Sequence, residues 1–415
     1  MTFDIVGRAG TGAMISLAAV GMQDTFLTDN SSSSFFQFKP QQHTQFTKYN
    51  TAYMYTSLQN ANWPFGQKVT FHLNPRTMGD LLCNMYLKIQ LPHGDYTSNN
   101  LGFALLNSIE FRVDSQVIET VQCDWNIIYK ELFCLLEEQA AIDQLFQGPN
   151  LLVPLQFFFD RKHSSKDTGN PLLHQSFFKP YFLTCACYAA KEIAITITFN
   201  DIAFFSFGNS NLSLDNVTLI TEEVILTTEE RLWIQNNRQR QIITYMSNNP
   251  RGFAPRGSFS HSLVNSGSVK CLYWFFRNTK YESGTWIQNR FNFCAMDDPV
   301  TKDDETQNQC ITNLDLYLNN EQVLASLRSD PNYFKFAQPV NHALTVPYKN
   351  IYTYSFCLNP KNPSPSGALD FSQMDSSGTK ITGRNITSHE ISINAFFSGY
   401  NILTYEKGVV SLGFV

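Results

Sequence analysis

The chain is poor in charge: Asp, Glu, Lys and Arg make up 16% of its 415 residues, against roughly 25% in ordinary soluble domains. Asn, Gln, Ser and Thr fill the gap, and aromatics reach 14%. Interface cores lose charge and gain aromatics, so this balance fits a protein with much of its surface covered by partners. A net charge of −5 argues against a general nucleic-acid binder, which needs a basic surface. No apolar run approaches the ~18 residues of a membrane helix, and Ala13 to Val20 is short and lacks the basic flank of a secretory signal. The nine cysteines are scattered with no CxxC pair, which excludes a zinc ribbon and a thioredoxin motif and leaves free thiols in a reducing compartment as the plain reading. GxSxG, HExxH and a phosphate-binding glycine loop are all missing. The eight histidines lie too far apart for a local metal motif. These absences leave no catalytic, cofactor-binding or metal-ligating residue to name, and the chain reads as something other than an enzyme.

What is present is period-two alternation. Val69, Phe71 and Leu73 alternate with polar neighbours, as do Met85, Leu87 and Ile89; Ile109, Phe111 and Val113; Ile193, Ile195, Ile197 and Phe199; and Leu314, Leu316 and Leu318. One apolar and one polar face is the mark of antiparallel sheets packed as sandwiches. Turn-forming clusters at 60–66, 92–100, 208–216 and 360–367 separate the strands. Helical spacing is rare. Trp125, Ile128, Tyr129, Leu132, Leu135 and Leu136 predict one helix over 124–146. Thr227 and Glu230 make a capping box for a second, and Pro154-Leu155 with Phe157 to Phe159 reads as core. The expected fold class is all-β, divided into an N-terminal arm (1–30), a first sandwich (31–226), a linker helix (227–245) and a second sandwich (246–415). No sequence repeat links the two halves.

Candidate contact residues come from two places. Between Arg231 and Tyr281 stand Arg231, Arg238, Arg240, Arg251, Arg256, Lys270, Arg277 and Lys280 with no acidic residue, a basic stretch suited to an acidic partner or to internal pairing with Glu137–Glu138 and the carboxylates between Asp297 and Glu305. That acidic cluster has no EF-hand spacing and reads as a solvated loop ahead of a calcium site. The second place is the segment from Tyr352 to Asp375. Tyr352, Tyr354 and Phe356 share a strand face; Pro360, Pro363 and Pro365 then end sheet pairing, and Gly367 offers a position without Cβ restriction. Arg161, Lys162, His163 and Lys166 form a basic loop, read as a solvated tip. Four sequons, at Asn30, Asn211, Asn216 and Asn385, are expected to go unused.

The segment Tyr352-Thr-Tyr-Ser-Phe-Cys-Leu-Asn-Pro, continuing through Pro363, Pro365-Ser-Gly367, Phe371-Ser and Asp375, resembles a signature of the major capsid proteins of nucleocytoplasmic large DNA viruses, the iridovirus-like group. Five further blocks resemble that family in the same order. They are Gly12 to Thr28 (with Gly21, Gln23, Asp24 and Leu27), Phe35-Phe36 with His43-Thr-Gln-Phe46, Arg76 to Pro92 (with Gly79, Asp80, Leu81 and Tyr86-Leu-Lys-Ile89), Tyr333-Phe334 through Gln338-Pro339 and Pro347, and Gly399 to Leu403 with Gly408 and Gly413. Departures occur where the family's Ile-Gly-Gly turn stands as Val113-Asp-Ser-Gln116 and its Leu-Asn-Gly as Leu318-Asn-Asn320. The resemblance implies a double jelly roll, two eight-stranded antiparallel sandwiches in tandem with a few short helices, and a structural role without cofactors. It also implies homotrimeric capsomers of pseudo-hexagonal outline tiling an icosahedral shell. The implied partners are neighbouring capsomers, minor capsid proteins and an inner membrane surface, with no sequence-specific nucleic acid, and assembly would take place in the host cytoplasm. Rival readings are a minor or vertex capsid protein of the same lineage and a carbohydrate-binding β-sandwich lectin.

Overall fold

Alternation translates directly into sheets. The computed structural model describes residues 46–55, 63–91, 100–161, 181–202, 214, 216–282, 290–291, 293, 310–324, 330–362 and 365–413. The opening arm, the Phe35–Thr44 block, the Asp297–Glu305 cluster, Lys162, His163, Lys166, Pro363 and the sequons at Asn30 and Asn211 lie outside them.

The first eight strands are β1 (Phe46–Tyr55), β2 (Lys68–Leu73), β3 (Leu81–Gln90), β4 (Leu106–Val113), β5 (Gln116–Gln122), β6 (Asn150–Pro154), β7 (Ile193–Phe199) and β8 (Asn216–Leu226). They form two four-stranded sheets, ordered β1-β8-β3-β6 and β2-β7-β4-β5. All pairs are antiparallel, with Phe46 opposite Leu226 and Lys68 opposite Thr198. The alternating apolar residues point between the sheets, where Val69, Met85, Phe111, Ile195 and Leu219 are all buried.

The later strands are β9 (Gln239–Asn248), β10 (Gly252–Ala254), β11 (Gly257–Ser262), β12 (Ser268–Asn278), β13 (Ile311–Leu318), β14 (Glu321–Gln322), β15 (Ile351–Ser355), β16 (Leu369–Asp370), β17 (Lys380–Asn385), β18 (Ile391–Glu406) and β19 (Val409–Leu412). One sheet runs β10-β18-β12-β15, extended by β9, β16 and β19, and the other runs β11-β17-β13-β14. Counting β10 to β15, β17 and β18 as strands one to eight, the orders are again 1-8-3-6 and 2-7-4-5. Each half is therefore a jelly roll, and the second repeats the topology of the first although no sequence repeat announces it. Strand order depends on which face is apolar and where turns fall, and many side-chain sets meet those conditions.

Helices fill the crossings. They are α1 (Leu101–Leu105), α2 (Cys123–Phe133), α3 (Leu136–Leu145) and α4 (Thr228–Asn236). The single helix expected over 124–146 is two. Cys134 and Leu135 are extended, the Glu138 carboxylate accepts from the Leu135 N–H at 3.0 Å, and Gln139 Nε2 donates to the carbonyls of Glu131 and Cys134. These bonds close one helix end and open the next, leaving Leu135 and Leu136 exposed. At α4, Thr227 Oγ1 accepts from the Glu230 N–H at 3.4 Å. That helix stops at Asn236, where Asn237 Nδ2 donates to the Trp233 carbonyl at 2.8 Å, and β9 begins at Gln239. No helix among the described residues is long and apolar enough to cross a membrane.

Candidate functional site: the seam between the rolls and the faces left over

The core of the second roll holds Leu272, Trp274, Phe276, Ile393 and Phe397, while Cys271, Tyr273, Phe275 and Phe396 belong to a cluster continuous with the core of the first roll. Strands β12 and β18 are thus buried on both faces. This explains why Cys271 to Phe276 is an unbroken apolar run in place of an alternating one. What covers the outward face is α2, with ten of its eleven residues buried. Trp125 meets Tyr273 edge-on at 5.3 Å and Phe396 at 6.4 Å, and Phe133 lies 6.0 Å from Tyr273. Aromatic pairs of this kind contribute about 1 kcal/mol each beyond the area they bury.

Polar groups in this seam are paired across it. Arg277 of β12 is fully buried; its Nη2 donates to Asp124 Oδ1 of α2 at 2.7 Å, its Nη1 to both Glu282 oxygens at 3.2 Å, and its Nε to the Arg290 carbonyl at 2.8 Å. The guanidinium also sits 4.9 Å from the Phe275 ring centre. Burial pushes the Asp124 carboxyl up, but Arg277 and Arg290 outweigh burial and hold it below the ordinary carboxylate range. Arg251 completes the group, bound to Glu282 at 3.0 Å and to Asn394 Oδ1 at 2.9 Å. Further links cross the seam. Glu131 of α2 accepts from the Tyr348 N–H at 3.0 Å. Arg161 pairs with buried Glu119 of β5 at 2.5 Å while donating to the Thr244 carbonyl of β9 at 2.7 Å. Arg161 is therefore not on a solvated tip, as its sequence neighbours suggest, because a carboxylate more than forty positions away draws it inward.

The basic stretch divides. Arg231 donates to Asp80 at 2.8 Å, Arg238 pairs with Glu406 at 3.2 Å, and Arg251 and Arg277 share Glu282. Internal pairing thus accounts for these four, with partners other than Glu137 and Glu138. Arg240 and Arg256 are exposed and make no ion pair among the described residues. In the signature loop, Pro360 is buried against the seam, whereas Pro365 and Gly367 are exposed. Gly367 has φ +132°, and a Cβ there would stand 2.8 Å from the Phe356 carbonyl oxygen. Asn385 is buried and donates to the His389 carbonyl at 2.8 Å, which removes it as a glycan acceptor. All eight described cysteines are buried, and burial pushes the Cys123 and Cys271 thiols up to about 12. Sequence reading missed Asp124, Glu119 and Glu282. The available signal was an acidic residue in the first turn of a helix rich in large apolar side chains, and a strand whose apolar run ends at Arg277.

The same two elements that make the seam occur twice among the described residues, and there only one pair is in mutual contact. Helix α2 lies between the fifth and sixth strands of the first roll. Between the fifth and sixth strands of the second roll, residues 331–341 are again helical. Phe334 of this segment packs on Trp274 at 5.1 Å, while Phe336 is 39% exposed and Val340 64% exposed. Likewise the outer face of β1-β8-β3-β6, the counterpart of the face α2 covers, presents Ala52, Met54, Thr218, Ile220, Tyr86 and Lys88, with Met54 70% exposed.

Twin antiparallel rolls of this strand order make a double jelly roll. PBCV-1 VP54, in a crystal structure fitted into a reconstruction of the virophage Sputnik, superposes with a TM-score of 0.71 at 17% identity, over 92% of this chain and 100% of that one. The Faustovirus major capsid protein gives 0.64 at 11% identity, over 95% and 96%. In sequence, residues 230–411 match the family of large eukaryotic DNA virus major capsid proteins, and residues 34–173 match the major capsid protein N-terminus. The major capsid protein of Pyramimonas orientalis virus is 24% identical over 445 positions, spanning 97% of this chain and 99% of that one. That of Paramecium bursaria Chlorella virus 1 is 22% identical over 457, with the same coverage. The chain belongs to the major capsid proteins of large eukaryotic DNA viruses, a family of structural proteins and not of enzymes.

Proposed function

We propose that three copies of this chain close into a capsomer of pseudo-hexagonal outline, and that such capsomers tile an icosahedral shell assembled in the host cytoplasm. The observation that carries this reading is the helix-on-sheet contact inside the chain, together with its counterpart, which is exposed among the described residues. Helix α2 of the first roll covers the sheet of the second. Repeating that contact between chains would seat the helical segment 331–341 of one copy on the β1-β8-β3-β6 face of the next. Such a contact is heterologous, and a threefold rotation closes it into a ring of six rolls. Obligate contacts of this type bury roughly 2,000 Å² or more. We divide the chain accordingly into an arm over 1–30, a first roll over 31–226, a linker over 227–245 that holds helix α4, and a second roll over 246–415. Neighbouring capsomers, minor capsid proteins and an inner membrane surface are the partners this arrangement would present to, with the exposed Arg240, Arg256, Pro365 and Gly367 as contact candidates.

Introducing charge at the centre of the proposed contact tests it. The wild-type chain is expected to sediment as a trimer and to give hexagonal particles in negative stain. Val340→Asp combined with Phe336→Asp is expected to yield a monomer with an unchanged circular dichroism spectrum, since both side chains already face solvent in one chain. A wild-type monomer, or a variant that trimerises as well as wild type, would overturn the reading.

A further inference from the structure

Between α2, the turn before Arg161, β9, β12 and the Pro360 loop lies a cavity of about 20 Å³. Both halves of the seam line it. Trp125, Tyr129 and Phe133 come from α2 of the first roll, and Thr244 and Met246 come from β9, which belongs to a sheet of the second. Three lining side chains carry a buried polar atom with no hydrogen-bond partner among the described residues: Trp125 Nε1, Arg161 Nε and Thr244 Oγ1. The rest of the Arg161 guanidinium is engaged, with Nη1 on the Thr244 carbonyl at 2.7 Å and Nη2 on Glu119 at 2.5 Å. Its Nε alone is left over.

Volume and hydrogen-bonding capacity together select the occupant. A buried water needs roughly 10–15 Å³ and about three polar partners, so the cavity has the room and the groups for one. Trp125 Nε1 and Arg161 Nε only donate, whereas the Thr244 hydroxyl also accepts. A water accepts two hydrogen bonds and has hydrogens to give, so one molecule meets all three atoms. Cavities that stay dry are apolar, and here a dry interior would leave two buried donors unmet at a cost. A neutral molecule is sufficient, because the groups to be met are two donors and a hydroxyl.

We propose that one buried water occupies this cavity and joins the two rolls, accepting from Trp125 Nε1 and Arg161 Nε and donating to Thr244 Oγ1. The site lies within one chain, so its test does not depend on whether the capsomer is a trimer. Crystals of the full chain grown with bromide are expected to show a single water peak within hydrogen-bond distance of those three atoms, and no anomalous signal there. In solution the Trp125 indole proton should show a nuclear Overhauser peak to water. Thr244→Ile, whose larger side chain fills the space, should remove that peak. It should also lower the unfolding midpoint by roughly 2–5 °C, since two donors then stay unmet. Filling a dry cavity would instead stabilise the chain. Thr244→Val keeps the volume and deletes the hydroxyl; it should lower the midpoint by less, and it serves if Thr244→Ile fails to fold. An empty cavity, a bromide ion in it, or a midpoint in either variant at or above that of wild type would overturn the proposal.

Discussion

Arg277 is the point where a strand of one roll and a helix of the other pair their charges. Taken alone its burial would be prohibitive, and what makes it tolerable is that Asp124, Glu282 and the Arg290 carbonyl engage all three guanidinium nitrogens. Removing one member should therefore hurt more than the pair helps. Asp124→Asn is expected to lower the stability of the folded chain by about 3 kcal/mol, read as a shift in the urea midpoint at constant m-value. The pH dependence has a definite sign. The Asp124 carboxyl lies below its ordinary value of 3.8 in the folded chain, so its contribution is complete above that value and is lost only as pH falls further, through the folded-state value. Asp124→Asn should flatten the stability curve in that acid range and leave its slope near neutrality unchanged. Loss of stability in the variant equal to that of an exposed Asp, within a few tenths of a kcal/mol, would contradict the network.

Among the elements, the signature loop after β15 divides into a part that packs and a part that does not. Tyr354 stacks edge-on against Phe356 at 5.2 Å, and Phe356 against Phe371 at 5.8 Å, so the strand's aromatic face is anchored in the second roll. The chain then reverses, with the Leu358 N–H donating to the Ser366 carbonyl at 3.2 Å. Gly367 closes this reversal at a positive φ where a Cβ meets backbone. Gly367→Ala is expected to cost roughly 1–3 kcal/mol and to raise hydrogen-exchange rates at Leu358 before those of β12. Wild-type exchange at Leu358 would show that the loop relaxes freely. Helices α2 and α3 carry a different lesson. Their apolar spacing is continuous through Leu135 and Leu136, so periodicity alone predicts one helix. The break comes from the carboxylate of Glu138 and the amide of Gln139, side chains that compete with the backbone for the same partners.

At the scale of the whole molecule, the proposed assembly rests on faces that are exposed among the described residues. Arg238 and Glu406 are each about half exposed, and such a pair stabilises a chain by no more than about 1 kcal/mol. Arg238→Ala with Arg240→Ala should therefore leave the chain folded and weaken the association of capsomers. Light scattering across a salt series would register the loss most strongly at low ionic strength, where surface charge is least screened. Assembly identical to wild type at every salt concentration would remove these arginines from the contact. The aromatics and the scarce charge that mark the composition belong in part to a different surface, since Trp125, Tyr273, Phe275 and Phe396 are spent on the seam inside the chain.

Much of this architecture is legible in the residues themselves. Alternation at Val69, Met85, Phe111 and Ile195 dictates sheets with one apolar face, the Thr227 cap fixes where α4 begins, and the ordered blocks ending at Gly413 identify the family. Strand β12 was legible only as apolar, because a strand buried on both faces loses the period by which strands are recognised. The duplication of the roll and the destinations of the arginines were decided in three dimensions. Asp124 and Arg277 stand 153 positions apart, and Arg231 and Asp80 stand 151 apart. Local sequence sets the conformation of a segment through short-range sterics and periodicity, whereas a buried charge is tolerated only where a distant partner happens to be delivered. That delivery is a property of the topology, and no stretch of the chain contains it.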